Sequence, residues 1–133
     1  MILVDSSVLI DVIEAKPDWR DWSASQLTLY AQQQGLAINA MIYAEISRSF
    51  PSAEVQNIFL TEAAIQVLPI PNEAAFQAAR AHMVYRRSGG LRSSTLPDFF
   101  IGAHAMVEKY QLLTRDPVRI RSYFPQVSLI TTS

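Results

Sequence analysis

Five short apolar runs, at residues 1–4, 36–39, 65–68, 112–114 and 127–130, punctuate a chain whose intervening stretches are patterned for helix. Runs this short suit buried strands better than helices. Strands separated by helices return in the same direction, which points to a parallel sheet with helices on both faces. The expected fold is α/β, a single domain over residues 1–133 with a central parallel sheet of about five strands. That length supports one core and no comfortable second one. With half the residues apolar and only 17% charged, a disordered tail is excluded.

The spacing predicts helices over 19–34, 40–50, 53–64, 73–87 and 97–110. The first carries Trp19, Trp22, Leu27 and Tyr30 and stops at Gly35. The second ends before Pro51, and the fourth is capped by Asn72 and finishes at Gly89-Gly90. The last is entered through Ser94-Thr95, and residues 88–96 are the best candidate for a mobile loop.

In an open parallel sheet the ligand crevice lies beyond the carboxyl ends of the strands. The sequence puts acids there. Asp5 follows the first run, Glu45 sits in the helix after the second, Asp98 opens the last helix and Asp116 follows the fourth run. Each has a local alternative. Asp5 and Asp116 suit helix N-caps, Asp116 with Pro117 at the first helical position. Thr95 and Asp98 have capping-box spacing, and Glu45 has Arg48 three residues on. Glu45 among Ile42, Ala44 and Ile46, and Asp98 beside Leu96 and Phe99-Phe100-Ile101, are nevertheless in odd company for solvated acids. Carboxylates gathered at one mouth repel each other and demand a cation, and hard oxygen donors suit Mg²⁺ or Mn²⁺. Such an ion activates water and stabilises a phosphodiester under attack.

These residues carry a family resemblance over nearly the full length. Val4-Asp5-Ser6-Ser7-Val8-Leu9-Ile10, Ala44-Glu45-Ile46, Leu96-Pro97-Asp98-Phe99-Phe100-Ile101-Gly102-Ala103-His104-Ala105 and Thr114-Arg115-Asp116-Pro117 stand in the order of the motifs of PIN-domain proteins. Within that family the chain resembles the VapC-type toxins, with a similar Tyr123-Phe124-Pro125 ending. The resemblance implies a PIN-like fold and a metal-dependent endoribonuclease site formed by Asp5, Glu45, Asp98 and Asp116. It also implies a cognate antitoxin and a homodimer. Asp5, Asp98 and Asp116 would hold Mg²⁺, while Glu45 completes the shell or takes a proton from the attacking water. Ser6 and Thr114 match supporting positions, Thr114 as an orienter of water or ligand. One departure stands out: where some relatives carry a further acid after the fourth motif, this chain has Val118 and Arg119.

Charge is split along the chain. Residues 1–75 hold three bases against nine acids, a net of −6, and residues 76–133 hold eight against three, a net of +5. Arg86, Arg87 and Arg92 are the candidates for contact with an RNA backbone; the alternative is a solvated helix end whose bases favour the dipole. His82 and His104 have no evident partner in sequence and read as structural. The aromatics Trp19, Trp22, Phe99 and Phe100 read as core or interface. Trp19, Trp22, Leu27 and Leu29 also suggest a surface for dimerisation or antitoxin docking, against the simpler reading of a core helix.

The absence of cysteine excludes disulfides, thiolate zinc sites and a cysteine nucleophile. No basic leader and no membrane-length apolar run is present, so a soluble cytoplasmic protein is expected. A haloacid-dehalogenase-like phosphatase would want Asp-x-Asp where Ser7 stands, and a receiver domain would want paired acids near the first strand. The remaining alternative is a catalytically silent PIN-like module that binds RNA or protein.

Overall fold

Ile2, Leu3, Val4, Ala37, Ile38 and Leu113 are completely shielded from solvent, as strands covered on both faces must be. They belong to a computed structural model that describes residues 1–90 and 96–132. Its elements are β1 (Ile2–Val4), α1 (Ser6–Ile13), α2 (Arg20–Gln33), β2 (Leu36–Ile38), α3 (Ala40–Ile46), α4 (Ala53–Glu62), β3 (Ile65–Val67), α5 (Asn72–Arg87), α6 (Leu96–Glu108), β4 (Gln111–Leu113), α7 (Val118–Tyr123) and β5 (Leu129–Ile130).

The five strands form one sheet in the order β3-β2-β1-β4-β5, and every pairing is parallel. Ile2 stands opposite Leu36 on one side and Gln111 on the other. The chain steps outward from β1 to β3, then crosses back to β4 and steps outward again. With right-handed crossovers, the helices before and after that reversal cover opposite faces. The reversal between β1 and β4 is a topological switch point, so a crevice opens beyond their carboxyl ends.

Local chemistry explains where the elements stop. α2 ends at Gly35, whose φ of +84° favours a residue without Cβ. Asn39 Oδ1 accepts from the Ile42 N–H at 3.1 Å and caps α3. The expected helix over 40–50 stops early, at Ile46. Ser47 Oγ turns back to the Tyr43 carbonyl at 2.7 Å, and the next three residues tighten into a 3₁₀ turn, Ser47–Ser49. Asn72 is not a cap: it is the first residue of α5, behind Pro71. Nor does Asp116 cap α7, because Pro117 occupies that position. The fifth strand shortens to Leu129–Ile130, and Val127 packs in the core instead. α6, expected over 97–110, ends at Glu108 as Lys109 turns to φ +59°. Ser94, Thr95 and the capping-box spacing to Asp98 lie outside the described residues, as does most of the expected 88–96 loop.

α6 packs against α3, α5 and α7. Phe99 is fully buried, with ring centroids of Tyr85, Tyr123 and Phe124 at 5.4, 5.2 and 6.0 Å. Gly102 faces the same cluster, and a Cβ there would lie 2.4 Å from the Phe124 ring. This close packing fixes the first turn of α6 against α5 and α7, and Asp98 rides on that turn. Among the described residues no helix is long and apolar enough to cross a membrane.

Candidate active site

All four acids singled out by sequence line one cleft of about 640 Å³, together with Ser6, Tyr85 and Arg119. Each arrives on a different element: Asp5 at the end of β1, Glu45 on α3, Asp98 on α6 and Asp116 on the loop from β4 to α7.

Asp5 is the anchor. Its Oδ1 accepts from the Ser6 N–H at 2.9 Å, so it does cap α1. Its Oδ2 accepts from Ser7 Oγ at 2.9 Å and from Thr114 Oγ1 at 2.7 Å. Both hydroxyls also accept from the β4–α7 loop, Ser7 from the Arg115 N–H at 3.2 Å and Thr114 from the Asp116 N–H at 2.9 Å. One carboxylate oxygen thus orders the loop that carries Asp116. Thr114 is buried, and its hydroxyl donates to Asp5 Oδ2.

Burial pushes the Asp5 carboxyl above the usual carboxylate range, against the two hydroxyl hydrogen bonds, and the charges of Asp98 and Asp116 push the same way. Burial also raises Glu45, with Asp5 and Asp98 adding to it and a hydrogen bond with Ser6 opposing it. Asp98 is raised by burial as well, opposed by Arg119, with which it forms an ion pair. Glu45 makes no ion pair with Arg48 among the described residues, and its Oε1 is buried without a hydrogen-bond partner.

An orphaned buried oxygen, mutually repelling carboxylates and an all-oxygen donor set fit a hard divalent cation that keeps several waters. Among the described residues no three acid or histidine side chains are yet gathered tightly enough to share one ion. Asp98 is paired instead with Arg119.

Two features escaped the sequence reading. Asp11, only 1% exposed, receives Arg115 Nε at 2.5 Å and Nη2 at 2.8 Å, with Ser23 Oγ at 2.7 Å. Arg115 lies over the Trp19 ring, 4.8 Å from its centroid. The signal was present: Asp11 interrupts Val8-Leu9-Ile10 and Val12-Ile13, as Glu45 interrupts its own apolar run. The second feature is Arg119 itself.

Arg86 and Arg87 are exposed at the end of α5 and do not line the cleft; Arg92 lies outside the described residues. Trp22 and Leu27 pack against the core, while Leu29 is 43% exposed. His82 packs against Tyr85 and Phe99.

His104 is structural and has a partner after all. Asn39 Oδ1 serves the α3 cap, so its Nδ2 donates to His104 Nδ1 at 3.1 Å, both residues being buried. The ring is held as the neutral tautomer with its proton on Nε2. Burial lowers its pKa from 6.5, with Glu108 opposing. A histidine depressed in the fold contributes stability above its unfolded pKa and loses it as pH falls below about 6.5 toward the folded value. Urea midpoints from pH 7.5 to 5.5 should therefore fall more steeply for wild type than for His104→Gln. Equal slopes would contradict the assignment.

A parallel sheet with acids converging at its switch point defines a class of small α/β proteins built around an acidic crevice. Residues 2–123 match the PIN domain family. The chain belongs to the PIN-domain family. Among solved structures it is similar to VapBC2 from Rickettsia felis bound to a promoter DNA fragment, at 20% identity and TM-score 0.75 with 100% of both chains covered. A toxin–antitoxin complex from Klebsiella pneumoniae aligns at 18% identity and TM-score 0.70, covering 98% of this chain and 97% of that one. FitAcB from Neisseria gonorrhoeae aligns at 18% and 0.67, covering 98% and 96%. Comparison with curated proteins gives no match.

Proposed function

We propose that the chain is a Mg²⁺-dependent endoribonuclease, Mn²⁺ being an alternative ion, and the toxin of a toxin–antitoxin pair acting in the cytoplasm. The observation that carries this is the convergence of Asp5, Glu45, Asp98 and Asp116 on one cleft, with Glu45 Oε1 buried and unpaired. Membership of the PIN-domain family supports a nuclease. Similarity to toxin–antitoxin complexes supports a cognate antitoxin as partner.

In this reading Asp5, Asp98 and Asp116 hold the ion. When bound, the ion supplies charge neutralisation for the phosphodiester and lowers the pKa of a nearby water. Asp5 is kept in place by Ser7 and Thr114 and in turn fixes the Asp116 loop. Ser6 lines the same cleft, and its hydroxyl opposes the rise of the Glu45 pKa. Glu45, already raised by burial, is suited to take a proton from the attacking water. Exposed Arg86 and Arg87, with Arg92, track the RNA backbone, and the working unit is a homodimer.

Purified, antitoxin-free protein incubated with total cellular RNA tests this, with Mg²⁺, with EDTA and with Asp98→Asn in parallel. Discrete fragments are expected only from wild type with metal. No cleavage by folded protein in any lane would replace the nuclease with a silent RNA- or protein-binding module.

A further inference from the structure

Four carboxylates line the cleft, and Arg119 is the base that pairs with one of them there. The other arginine of the lining, Arg115, is engaged by Asp11. Arg119 is held loosely by comparison. A single Nη1 contact joins it to Asp98 Oδ2, and its Cζ lies 5.4 Å from the Tyr85 ring centroid. Among the described residues its other N–H groups have no hydrogen-bond acceptor. Both partners of the pair are more than a third exposed, at 36% and 37%, so the contact exchanges cheaply. Its planar fork of donors is suited to two phosphate oxygens at once, which one carboxylate oxygen does not satisfy.

We infer that Arg119 is an exchangeable cation that occupies Asp98 in the ion-free state and is released by a divalent ion to bind the RNA phosphate. The inference rests on the nuclease reading and adds a residue to it. Tyr85 gives the guanidinium an aromatic face to rest on, so it stays at the mouth of the cleft after leaving Asp98.

A different role would place Arg119 as a tie that holds α7 to α6 and nothing more. Three proteins separate the two: wild type, Arg119→Met and Arg119→Lys, each shown to be folded by circular dichroism. Mn²⁺ binding without RNA is measured by calorimetry, and binding of a fluorescent single-stranded RNA oligomer is measured by anisotropy in Ca²⁺. Arg119→Met should bind Mn²⁺ about tenfold more tightly, the scale on which one neighbouring charge alters a carboxylate's affinity for a cation. It should bind RNA several-fold more weakly. Arg119→Lys should keep Mn²⁺ affinity near wild type, because the charge is retained, and should weaken RNA binding because the fork is lost. Unchanged or weaker Mn²⁺ binding in Arg119→Met, or unchanged RNA binding, overturns the inference while leaving a wild type that cleaves RNA intact. A wild type that neither binds Mn²⁺ nor cleaves RNA removes the nuclease reading and the inference with it.

Discussion

Asp5→Asn is expected to lose RNA cleavage by about 10³-fold or more at saturating Mg²⁺, because several kcal/mol of ion-derived stabilisation is at stake and each 1.4 kcal/mol is tenfold. The variant should remain folded. Asparagine has one acceptor oxygen where aspartate offers two, and Asp5 uses both: Oδ1 for the α1 cap, Oδ2 for Ser7 and Thr114. Either orientation of the amide keeps one set and puts its NH₂ against the other. The cost of a mismatched hydrogen bond, about 1–2 kcal/mol, is partly offset because a neutral group no longer suffers burial and the repulsion of Asp98 and Asp116. Single-turnover cleavage and urea denaturation read the two effects separately. A third measurement is thermal. Mg²⁺ should raise the wild-type melting temperature, since an ion that binds only the folded state stabilises it by mass action, and should do so much less for the variant. Cleavage within tenfold of wild type would falsify the role given to Asp5.

Much of this site was legible in sequence for one physical reason. A carboxylate in an apolar run is costly unless something at that place requires it, and the strand pattern said which end of the sheet each acid would reach. Asp5, Glu45, Asp98 and Asp116 all meet in one cleft on that basis. Strand order was not legible, because the step from β3 across to β4 depends on which helix faces pack together, as Phe99 and Gly102 of α6 do with Tyr85 and Phe124. Helix ends were misplaced where a side chain competes with the backbone, as Ser47 does at the end of α3. The partners of His104 and Asp98 were hidden for a related reason. Asn39 is 65 residues from His104 and Arg119 is 21 from Asp98, and no periodicity links side chains that meet only through the fold.

The same long-range geometry gives Arg115→Met the largest expected effect on stability, about 3–5 kcal/mol, the usual cost of removing one partner from a buried pair. Asp11 is 1% exposed and would be left with Ser23 as its hydrogen-bond partner. Arg115 is 23% exposed on its side chain, so in Asp11→Leu the stranded guanidinium still reaches water and the loss should be smaller. Arg115→Met with Asp11→Leu removes both charges and should recover much of the stability, since an apolar pair of similar volume often equals a buried ion pair. A loss of this size is a large part of the roughly 5–15 kcal/mol that holds a domain together. Activity should fall further than stability alone requires. Arg115 stands between Thr114 and Asp116, and its pairing with Asp11 ties the β4–α7 loop to α1 while its N–H is held by Ser7. With that tie gone, the loop keeps its backbone contacts to Ser7 and Thr114 but loses the side-chain anchor on α1. Urea denaturation of the two single variants and the double variant checks the energetics. A double variant less stable than Arg115→Met would show that the charges themselves, and not merely their mutual satisfaction, hold the loop.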